Sequence, residues 1–538
     1  MLYYWYITTV LVLNTDTDRM SDHLLHTNDF NQHKIVYCGN NTKIQGTPIQ
    51  TFYANQSIFI TGGTGFLGKV LIEKLLRSCP NISKIYMMIR SKKNKSATSR
   101  LAEIFESSLF QRIKEEVPNF HEKVVPLLQV GELDEECLGL TKHDIDQVIS
   151  EVSIIFHLAA TVRFNEDIKV ATKINVYGTC AILNLAKRMP NLKSFIHVST
   201  ITTNCLPTVT HIEECFYKYP IESEEFLILM RTSSKGTIDE KILRAAAQWP
   251  NTYTFTKAIM EVIIRDSSGS LPVGIFRPSI VMNTVREPLV GWIDNYYGPI
   301  GVTVSIAKGL TRFFRADSDC LTNFVPADIT INALIAAAWD VFNQPQKRGD
   351  KMIIYNSVST NDAPLFMGDY TNHIRLNVRK YPTKHCYWMP TITLVKNKII
   401  YKMCIWFGHL LPALFIQIFQ QCIGARQRIW KLYNMIHKYQ DAVSYFTLHN
   451  WIHSDDNIQA MWRSMDKNDQ CLFDFNMKGF DWSKYLDDHF KGVRLYLLKD
   501  DLSTLENSRI KLKRLYWIHQ VTKFLLTFIV FMLVWKLF

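Results

Sequence analysis

The sequence feature that most constrains the fold is SIFITGGTGFLGKVLIEKLLRSC, in which three glycines recur at every third residue. Its β-branched beginning predicts a short strand, and the apolar spacing that follows predicts an amphipathic helix beginning at Phe66. Gly62 permits a tight turn, Gly65 lets a diphosphate approach the backbone, and Gly68 lets the helix pack close to the strand. Because the first N–H groups of a helix favour anions, the stretch predicts a dinucleotide site. The alternative, a plain strand-to-helix turn, rarely needs three glycines at this period.

The next predicted strand indicates which dinucleotide binds. KIYMMIR ends at Arg90, at the place where a dinucleotide fold contacts the adenosine ribose. An acidic residue there favours NAD, whereas an arginine accommodates the 2′-phosphate of NADP. Arg90, followed by Lys92 and Lys93, therefore predicts NADPH. A solvated basic loop is the alternative interpretation.

Strands and helices alternate along the chain after Arg90. The further predicted strands are KVVPLLQV, VSIIFHLAA, LKSFIHVST and LPVGIFRPSIV, with helical stretches between them such as INVYGTCAILNLAKRM. This alternation predicts an α/β fold, a doubly wound parallel sheet of the Rossmann-like type. Ligands of such sheets bind beyond the carboxyl ends of the strands. The candidate site residues at those ends are Ala159, Ser199, Thr200, Arg277, Pro278 and Ser279.

A tyrosine and a lysine four residues apart, Tyr253 and Lys257, occur in NTYTFTKAIME. In a helix both side chains project from one face, one turn apart. A chain with 23 tyrosines shows this spacing about once or twice by chance, so the pair alone is a weak signal. Its position strengthens it, because a hydroxyl pair (Ser199, Thr200) and Asn175 on a predicted helix precede it. Together they resemble the Asn, Ser/Thr, Tyr and Lys site of the extended short-chain dehydrogenase/reductase superfamily.

The superfamily resemblance implies a role for each of these side chains. The Tyr253 hydroxyl would give a proton to a carbonyl oxygen whose carbon receives hydride. The Lys257 ammonium would lower the tyrosine pKa from its ordinary value of about 10 and would hold the nicotinamide ribose. Thr200, which the spacing slightly favours, or Ser199 would orient the substrate carbonyl. Asn175 would support a water that relays protons to the lysine, or would merely cap a helix.

A narrower resemblance rests on motifs that occur in one order. They are TGGTGFLGKVLIEKLLR, FHLAATVRF, INVYGT, FIHVST, NTYTFTKA, IFRPSIV, GWIDNYYGPIG and FDWSKYLDDHFKGVRLYLLKD. As a set they resemble the fatty acyl-CoA reductase family over roughly residues 55–505. The resemblance implies that Thr64, Phe66 and Leu67 join the glycines at the cofactor.

The sequence departs from the family pattern at two places. Glu132 stands where the family usually has aspartate, at a position expected to contact the adenine, and a glutamate can make the same hydrogen bond from a longer stem. Ile201 and Thr202 follow the hydroxyl pair where a small residue and an aromatic residue are commoner.

Family membership would imply the reaction. A long-chain fatty acyl-CoA thioester would accept hydride from NADPH, expel CoA and yield an aldehyde, which a second NADPH would reduce to a primary alcohol. The hydroxyl pair and Tyr253 would stabilise the oxyanion, and the net charge of +12 suits the phosphates of CoA. Two alternatives are another membrane-bound extended reductase, such as a hydroxysteroid dehydrogenase, and an inactive lipid- or nucleotide-binding relative. The C-terminal motif speaks against the first, and the intact Tyr253 and Lys257 pair against the second.

The amino-acid composition limits the other classes of protein to which the chain could belong. The 538 residues are 47% hydrophobic and 20% charged, which excludes a disordered or fibrous chain. The basic residues are dispersed, so we expect no nucleic-acid partner. Eleven cysteines without paired C-x-x-C spacing predict reduced thiols in a cytosol-facing protein, and we predict no metal site.

We predict five regions along the chain. They are an N-terminal extension (1–50), an NADPH-binding reductase domain (51–345), a connecting region (346–425), a mainly helical C-terminal domain (426–505) and a hydrophobic tail anchor (515–538).

Two apolar segments predict contact with a membrane. Residues 403–425 carry no Asp, Glu, Lys or Arg and fit a membrane span, a buried substrate-tunnel helix or an interfacial hairpin. Residues 524–535 are uncharged and apolar, with Lys523 able to snorkel. Basic residues at 509–514 fit the positive-inside rule for a tail anchor whose enzyme faces the cytosol. The endoplasmic reticulum is the expected membrane, with the peroxisome as the alternative.

Overall fold

The computed structural model describes residues 46–90, 95–129, 138–233, 238–347, 351–422 and 429–536. Two residues of the sequence-predicted cofactor site, Lys92 and Glu132, lie outside these ranges, as does Lys93.

A sheet of seven parallel strands forms the centre of the fold. Its strands are β1 (Ser57–Thr61), β2 (Lys84–Arg90), β3 (Val124–Gln129), β4 (Val152–His157), β5 (Ser194–Val198), β6 (Val273–Pro278) and β7 (Ile354–Ser357). Their order across the sheet is β7-β6-β5-β4-β1-β2-β3, and every neighbouring pair is parallel. The order reverses between β1 and β4, which makes the turn after β1 the switch point where a doubly wound sheet binds its ligand. The predicted doubly wound parallel sheet is confirmed.

Helices occupy most of the remaining described residues. In the first part of the chain they span Pro48–Tyr53, Phe66–Ser78, Ala97–Phe105, Gln111–Glu116, Lys142–Glu151, Ile168–Thr172, Gly178–Ala186, Ser223–Thr232, Glu240–Ala246, Thr252–Ser267, Pro299–Ala307 and Ala327–Asn343. In the second part they span Met367–Lys380, Lys398–Ile405, Leu411–Cys422, Ile429–Thr447, Asp456–Ser464, Lys467–Leu472, Trp482–Gly492 and Leu505–Trp535. π-helical turns occur at Lys173–Tyr177, Trp406–Leu410 and Val493–Leu497.

Short strand pairs outside the sheet join distant parts of the chain. They are Ile280–Met282 with Phe324–Pro326, Phe313–Phe314 with Thr393–Leu394, and His211–Ile212 with Ile452–His453.

Alternate side chains of the strands enter two separate cores. On one face, residues such as Ile58 and Ile60 of β1 pack with the Phe66–Ser78 and Ala327–Asn343 helices. On the other face, Phe59 packs with the Lys142–Glu151, Gly178–Ala186 and Thr252–Ser267 helices. Both faces of the sheet are therefore covered by apolar helices, as parallel sheets require.

The C-terminal region is mainly helical, and it contacts the chain segment that precedes the first strand of the sheet. Thr47, the N-cap of the first described helix, donates a hydrogen bond from its hydroxyl to the buried Asp469 carboxylate. The Ile49 N–H donates to the other carboxylate oxygen at 3.0 Å. The last residues of the predicted extension (1–50) therefore contribute to the folded core.

The sheet continues past the boundary predicted at residue 345. Its seventh strand, β7, lies at Ile354–Ser357, inside the segment assigned to the connecting region. The reason is topological, since the strand pairs with β6 after the long Ala327–Asn343 helix has crossed the sheet.

The described parts of both predicted apolar segments are helical. Residues 398–422 form one continuous helix that includes a π-helical turn, and its Lys398–Ile418 portion is the one helix of the described residues long and apolar enough to cross a membrane by length and composition. We call residues 398–422 the surface helix. The tail helix, Leu505–Trp535, includes most of the predicted anchor.

Candidate active site

The turn after β1 has the close packing that its glycines predict. Gly62 has a φ of +74°, a left-handed conformation that side chains rarely adopt. A Cβ atom on Gly62 would lie 2.8 Å from the backbone nitrogen of Ala159. A Cβ atom on Gly68 would lie 2.4 Å from the Gly62 carbonyl oxygen. The helix, the turn and the end of β4 therefore meet backbone to backbone.

The first turn of the Phe66–Ser78 helix is suited to an anion. Its N-cap, Gly65, makes no side-chain capping bond, and the first turn carries no acidic residue. The first intrahelical bond runs from the Lys69 N–H to the Gly65 carbonyl at 3.0 Å. The N–H groups of Phe66, Leu67 and Gly68 precede it, as the first N–H groups of a helix do. This donor set, with Thr64 in the same turn, fits a diphosphate.

A buried histidine, His157, aligns the ends of β1 and β4. Its Nδ1 is 2.6 Å from the Thr61 hydroxyl, and its Nε2 is 2.8 Å from the Thr179 hydroxyl. The Thr61 hydroxyl also accepts the Ala159 N–H at 3.3 Å. Burial, with the nearby Lys257 charge, lowers the pKa of His157 to about 3, so the ring is neutral.

The stretch that carries Tyr253 and Lys257 is helical, as predicted. The helix begins at Thr252, and the Asn251 side chain caps it by accepting the Thr254 N–H at 2.9 Å. One helical turn separates the tyrosine from the lysine, so both project from one face. The Tyr253 ring lies 6.1 Å from the Phe164 ring, measured between centroids.

The Tyr253 phenol is in its protonated form at neutral pH. Burial raises its pKa to about 12, and a hydrogen bond with the Thr200 hydroxyl opposes that rise. The expectation that Lys257 lowers this pKa below its ordinary value is therefore wrong for the structure described. The lysine Nζ instead donates to the Val198 carbonyl at 2.7 Å. A protonated phenol is nonetheless the form that can give a proton.

The Lys257 amine is close to its own titration point. Its side chain is buried at the end of β5. Burial lowers its pKa to about 8, and the Glu261 carboxylate, one turn further along the same helix, opposes that change. The ammonium form therefore predominates at neutral pH, and it lies next to the hydroxyl pair.

The two hydroxyls after β5 have different environments. The Ser199 hydroxyl donates to the Glu261 carboxylate at 2.5 Å, whereas the Thr200 hydroxyl is 3.0 Å from the Thr202 hydroxyl and lies beside the Tyr253 phenol. Sequence spacing slightly favoured Thr200. Thr200 is the hydroxyl that contacts the tyrosine.

Arg277 is fully buried and holds Glu261 from the other side. Its guanidinium donates to the two carboxylate oxygens at 3.0 and 2.6 Å. It also donates to the Glu213 and Cys215 carbonyls at 3.1 and 3.0 Å. The Arg277 guanidinium therefore donates its hydrogen bonds to other protein groups. Its candidate role at the cofactor rests on its backbone.

The other candidates at strand ends occupy the expected edge of the sheet. Pro278 ends β6, and the Ser279 N–H donates to the Ser357 carbonyl at 3.0 Å. The buried Ser279 hydroxyl has no hydrogen-bond partner among the described residues. Arg90 ends β2 with an exposed side chain.

Asn175 joins the loop after β4 to the Tyr253 helix. Its side-chain oxygen accepts the Thr161 N–H at 2.8 Å, and its side-chain amide donates to the Thr256 hydroxyl at 3.0 Å. It lies within the π-helical turn Lys173–Tyr177, so the alternative of a helix-capping asparagine is wrong. π-helical turns are frequent at functional sites.

Sequence reasoning missed Glu261 and His157. Glu261 follows Lys257 by four residues, the spacing of a helical ion pair, and that signal was present in NTYTFTKAIME itself. His157 gave no local signal, because its partners Thr61 and Thr179 lie on other elements.

Two family models, both described as male sterility protein, match residues 60–334 and 408–500. A Drosophila melanogaster protein named fatty acyl-CoA reductase wat is 36% identical over 88% of this chain and 90% of its own length. The Mus musculus fatty acyl-CoA reductase 1 is 32% identical over 91% of this chain and 93% of its own length.

Solved structures support the same fold. The terminal reductase domain of the myxalamid biosynthetic pathway aligns with a TM-score of 0.54 and 17% identity, over 82% of this chain and 91% of that chain. A reductase domain of a non-ribosomal peptide synthetase from Mycobacterium tuberculosis aligns with a TM-score of 0.52 and 17% identity, over 85% of this chain and 97% of that chain. At such low identity these likenesses establish the fold alone, but the sequence relatives align over almost the whole chain, and this protein belongs to the fatty acyl-CoA reductase family.

Proposed function

We propose that this protein reduces long-chain fatty acyl-CoA to a primary fatty alcohol through an aldehyde, with release of CoA and with NADPH as the reductant. The observation that carries the proposal is that the Tyr253 phenol, the Thr200 hydroxyl and the Lys257 amine lie together at the carboxyl end of β5. These groups lie at the edge of the sheet where the glycine turn is suited to a dinucleotide. Relatives that share nearly the whole chain carry the name fatty acyl-CoA reductase.

Different residues at the carboxyl edge of the sheet would hold different parts of NADPH. When bound, NADPH supplies hydride to a carbonyl carbon. The glycine turn and the first turn of the Phe66–Ser78 helix would hold its diphosphate. Arg90 would neutralise the 2′-phosphate, and Lys257 would hold the nicotinamide ribose. We further propose that Lys92 and Glu132, both outside the described residues, contact the adenosine portion.

Tyr253 and Thr200 would supply the proton and the hydrogen bonds that each reduction needs. In the first step, the thioester carbonyl oxygen becomes an oxyanion, and the two hydroxyls donate to it. Collapse of that intermediate breaks the C–S bond and gives an aldehyde and the CoA thiolate, which takes up one proton. In the second step, the aldehyde oxygen takes a proton from Tyr253 and becomes the alcohol. Each step consumes one hydride and one proton.

Aromatic rings beside Tyr253 would receive the acyl chain. Phe164 lies 6.1 Å from the Tyr253 ring and 6.0 Å from the Phe446 ring, measured between centroids. Phe446 in turn lies 6.2 Å from Trp451. An apolar wall of this kind suits a hydrocarbon chain.

We also propose that the tail helix anchors the protein in the endoplasmic reticulum membrane, with the peroxisome as the alternative, and that the enzyme faces the cytosol. Many large apolar side chains of this helix are exposed, including Trp517, Phe524, Phe531 and Trp535. A helix of a water-exposed protein surface rarely presents such a face.

The direct test is turnover by the full-length protein in isolated membranes. Palmitoyl-CoA or stearoyl-CoA is supplied with NADPH or, in parallel, NADH, and the products are identified by gas chromatography. We expect fatty alcohol, free CoA and faster oxidation of NADPH than of NADH. Oxidation of a sterol alcohol with no reduction of acyl-CoA would instead support a hydroxysteroid dehydrogenase. Tight NADPH binding without turnover of any acyl chain would refute the proposed activity.

A further inference from the structure

The surface helix (398–422) has the opposite pattern to a helix of a water-soluble domain. Its protein-facing stripe recurs every fourth residue and includes polar side chains: Tyr401, Ile405, His409 and Ala413 are all buried. The buried Tyr401 hydroxyl donates to Gln440 on the Ile429–Thr447 helix. A helix on a soluble surface buries its apolar side chains and exposes its polar ones. Here the buried Tyr401 and His409 side chains have hydrogen-bond partners within the protein.

The outward face of the surface helix is apolar from Ile399 to Ile418, apart from the exposed Lys402. Its exposed large side chains are Ile399, Ile400, Met403, Trp406, Phe407, Leu414, Phe415, Ile416 and Ile418. Phe407 and Phe415 are exposed to 63% and 64%. Contiguous apolar surface of this extent marks an interaction site with another protein or a membrane.

Contacts along the helix fix its direction relative to the reductase domain. The Arg312 N–H donates to the His409 Nε2 at 3.0 Å, and a 3.0 Å hydrogen bond joins the His409 Nδ1 to the His437 Nε2. A Cβ atom on Gly408 would lie 2.4 Å from the Phe313 ring. Because its buried stripe contacts the protein from Tyr401 to Ala413, the helix lies along the protein surface and does not project from it.

The tail helix meets the protein next to the surface helix. The Trp388 indole N–H donates to the His519 Nδ1 at 3.1 Å. The same indole ring lies under the Arg312 guanidinium, 5.9 Å from its centroid, and the Arg312 backbone holds the surface helix. Trp388 and Arg312 therefore link the tail helix to the protein-facing side of the surface helix.

Exposed lysines lie at the border of this apolar surface. Lys398 and Lys402 belong to the first turns of the surface helix. Lys384 and Lys511 lie where the tail helix begins, and the Lys511 Nζ donates to the Lys384 carbonyl at 2.7 Å. Lysines next to an apolar face suit the anionic headgroups of a bilayer, whereas a second protein copy would bring the same positive charge.

We propose that the surface helix lies in the membrane interface, with Phe407 and Phe415 in the acyl-chain layer, so that the protein holds a lipid bilayer at this helix as well as at its tail. The inference rests on the proposed function in one respect, the membrane attachment of the tail helix. A helix bound to protein along one face places its opposite face in the headgroup and upper acyl region without crossing the bilayer.

This placement gives the acyl chain a direct approach to the site. The Ile429–Thr447 helix contacts the surface helix through Gln440 and His437. Its C-terminal end carries Phe446, which contacts Phe164 beside Tyr253. A lipid chain leaving the bilayer next to the surface helix would follow this helix to the reacting carbonyl.

Site-specific photo-crosslinking of the full-length chain tests the placement. p-Benzoylphenylalanine replaces Phe407 or Phe415 in protein bound to vesicles of phosphatidylcholine and phosphatidylserine, and replaces Leu376 as the control. Leu376 is exposed to 66% and belongs to a different helix, Met367–Lys380. We expect phospholipid adducts at Phe407 and Phe415 and none at Leu376. Crosslinks to a second copy of the chain, or adducts no more frequent than at Leu376, would overturn the inference.

A charge variant tests the consequence for turnover. Phe407→Glu with Phe415→Glu is compared with Leu376→Glu, each with its tail helix intact. Because the proposal places both phenylalanines in the acyl-chain layer, we expect their loss to lower turnover of palmitoyl-CoA in vesicles by about tenfold or more, while turnover in detergent micelles stays at the wild-type rate. Equal turnover of the variant and the control in vesicles would contradict the inference. Absence of turnover in the wild-type protein would refute the proposed function, and the lipid crosslinks would still decide the placement of the helix.

Discussion

At the scale of single residues, burial separates the two groups at the centre of the site. It raises the pKa of Tyr253 to about 12 and lowers the pKa of Lys257 to about 8. At neutral pH the phenol therefore keeps its proton and most of the lysine keeps its charge. The proposed mechanism requires these two protonation states, because Tyr253 has to donate a proton and Lys257 has to bind the ribose as a cation.

The pH dependence of the chemical step follows from Lys257. Because its pKa is about 8, we expect kcat/KM for acyl-CoA to fall as the pH rises through that value and the ammonium is lost. Glu261 favours the charged amine, so Glu261→Gln lowers this pKa and moves the falling limb to lower pH. The measurement is a pH–rate profile of the wild type, Glu261→Gln and the charge-conserving Glu261→Asp. A limb in the same place in all three would contradict the role of Glu261.

We expect removal of the two hydroxyls after β5 to have different effects on kcat and on the free energy of unfolding. Thr200→Ala removes a hydrogen bond to the developing oxyanion and lowers kcat by about 10²- to 10³-fold, with little change in stability. Ser199→Ala leaves a buried Glu261 oxygen without its serine partner, and we expect a loss of about 1–3 kcal/mol of unfolding free energy with a smaller loss of kcat. Steady-state kinetics and denaturant unfolding of both variants test this, and the reversed pattern would identify Ser199 as the substrate hydroxyl.

At the scale of elements, the glycine turn is the part that depends most on exact spacing. A Cβ atom on Gly68 meets the Gly62 carbonyl oxygen at 2.4 Å, so Gly68→Ala must push the Phe66–Ser78 helix away from β1. We expect weaker NADPH binding and a lower melting temperature. The control is Gly46→Ala, where the nearest atom lies at 3.6 Å. NADPH fluorescence and thermal unfolding measure both, and wild-type affinity in Gly68→Ala would contradict the packing argument.

The elements that sequence could predict are those with strong local signals. The strand before Gly62 and the helix beginning at Phe66 follow from residue type and periodicity, and the helix around Tyr253 follows from its spacing. The strand Ile354–Ser357 gave no such signal, because its place in the sheet depends on pairing with β6 across a long helix. The Glu261–Arg277 pair joins residues on different elements, and only the tertiary fold brings them together.

At the scale of the whole molecule, a buried ion cluster joins the reductase domain to the C-terminal region. Lys74 on the glycine-turn helix pairs with Glu287 and also donates to the Leu472 carbonyl at 2.7 Å. Arg77 pairs with the same Glu287 at 2.9 Å and with Glu73 at 2.7 Å. Lys74, which the Glu287 carboxylate holds in place, therefore connects the helix that would hold the cofactor to the C-terminal region.

Removal of that carboxylate weakens the whole molecule. Burial raises the Glu287 pKa, but Lys74 and Arg77 outweigh it and hold the pKa well below 4.5. Its stabilisation is therefore complete above about pH 4.5 and is lost as the pH falls towards the folded value. We expect Glu287→Gln to lower unfolding free energy at pH 7 by about 3–5 kcal/mol, because Lys74 and Arg77 lose a buried partner.

The control for Glu287 is an exposed ion pair. Arg244 and Glu240 form one with side chains exposed to 77% and 76%, so Glu240→Gln changes stability by well under about 1 kcal/mol. Denaturant unfolding at pH 7 and pH 5 measures both variants. Equal stability of Glu287→Gln and Glu240→Gln would contradict the role of the cluster.

The central claim, that Tyr253 donates the proton in the reduction of acyl-CoA, is tested most directly by Tyr253→Phe. The measurement is the rate of fatty alcohol formation from palmitoyl-CoA and NADPH, together with NADPH affinity, for the full-length variant and wild type in membranes. The phenyl ring keeps the contact with Phe164 and removes only the hydroxyl, so we expect unchanged NADPH affinity and alcohol formation reduced by about 10³-fold or more. Alcohol formation at the wild-type rate would contradict the assignment of Tyr253.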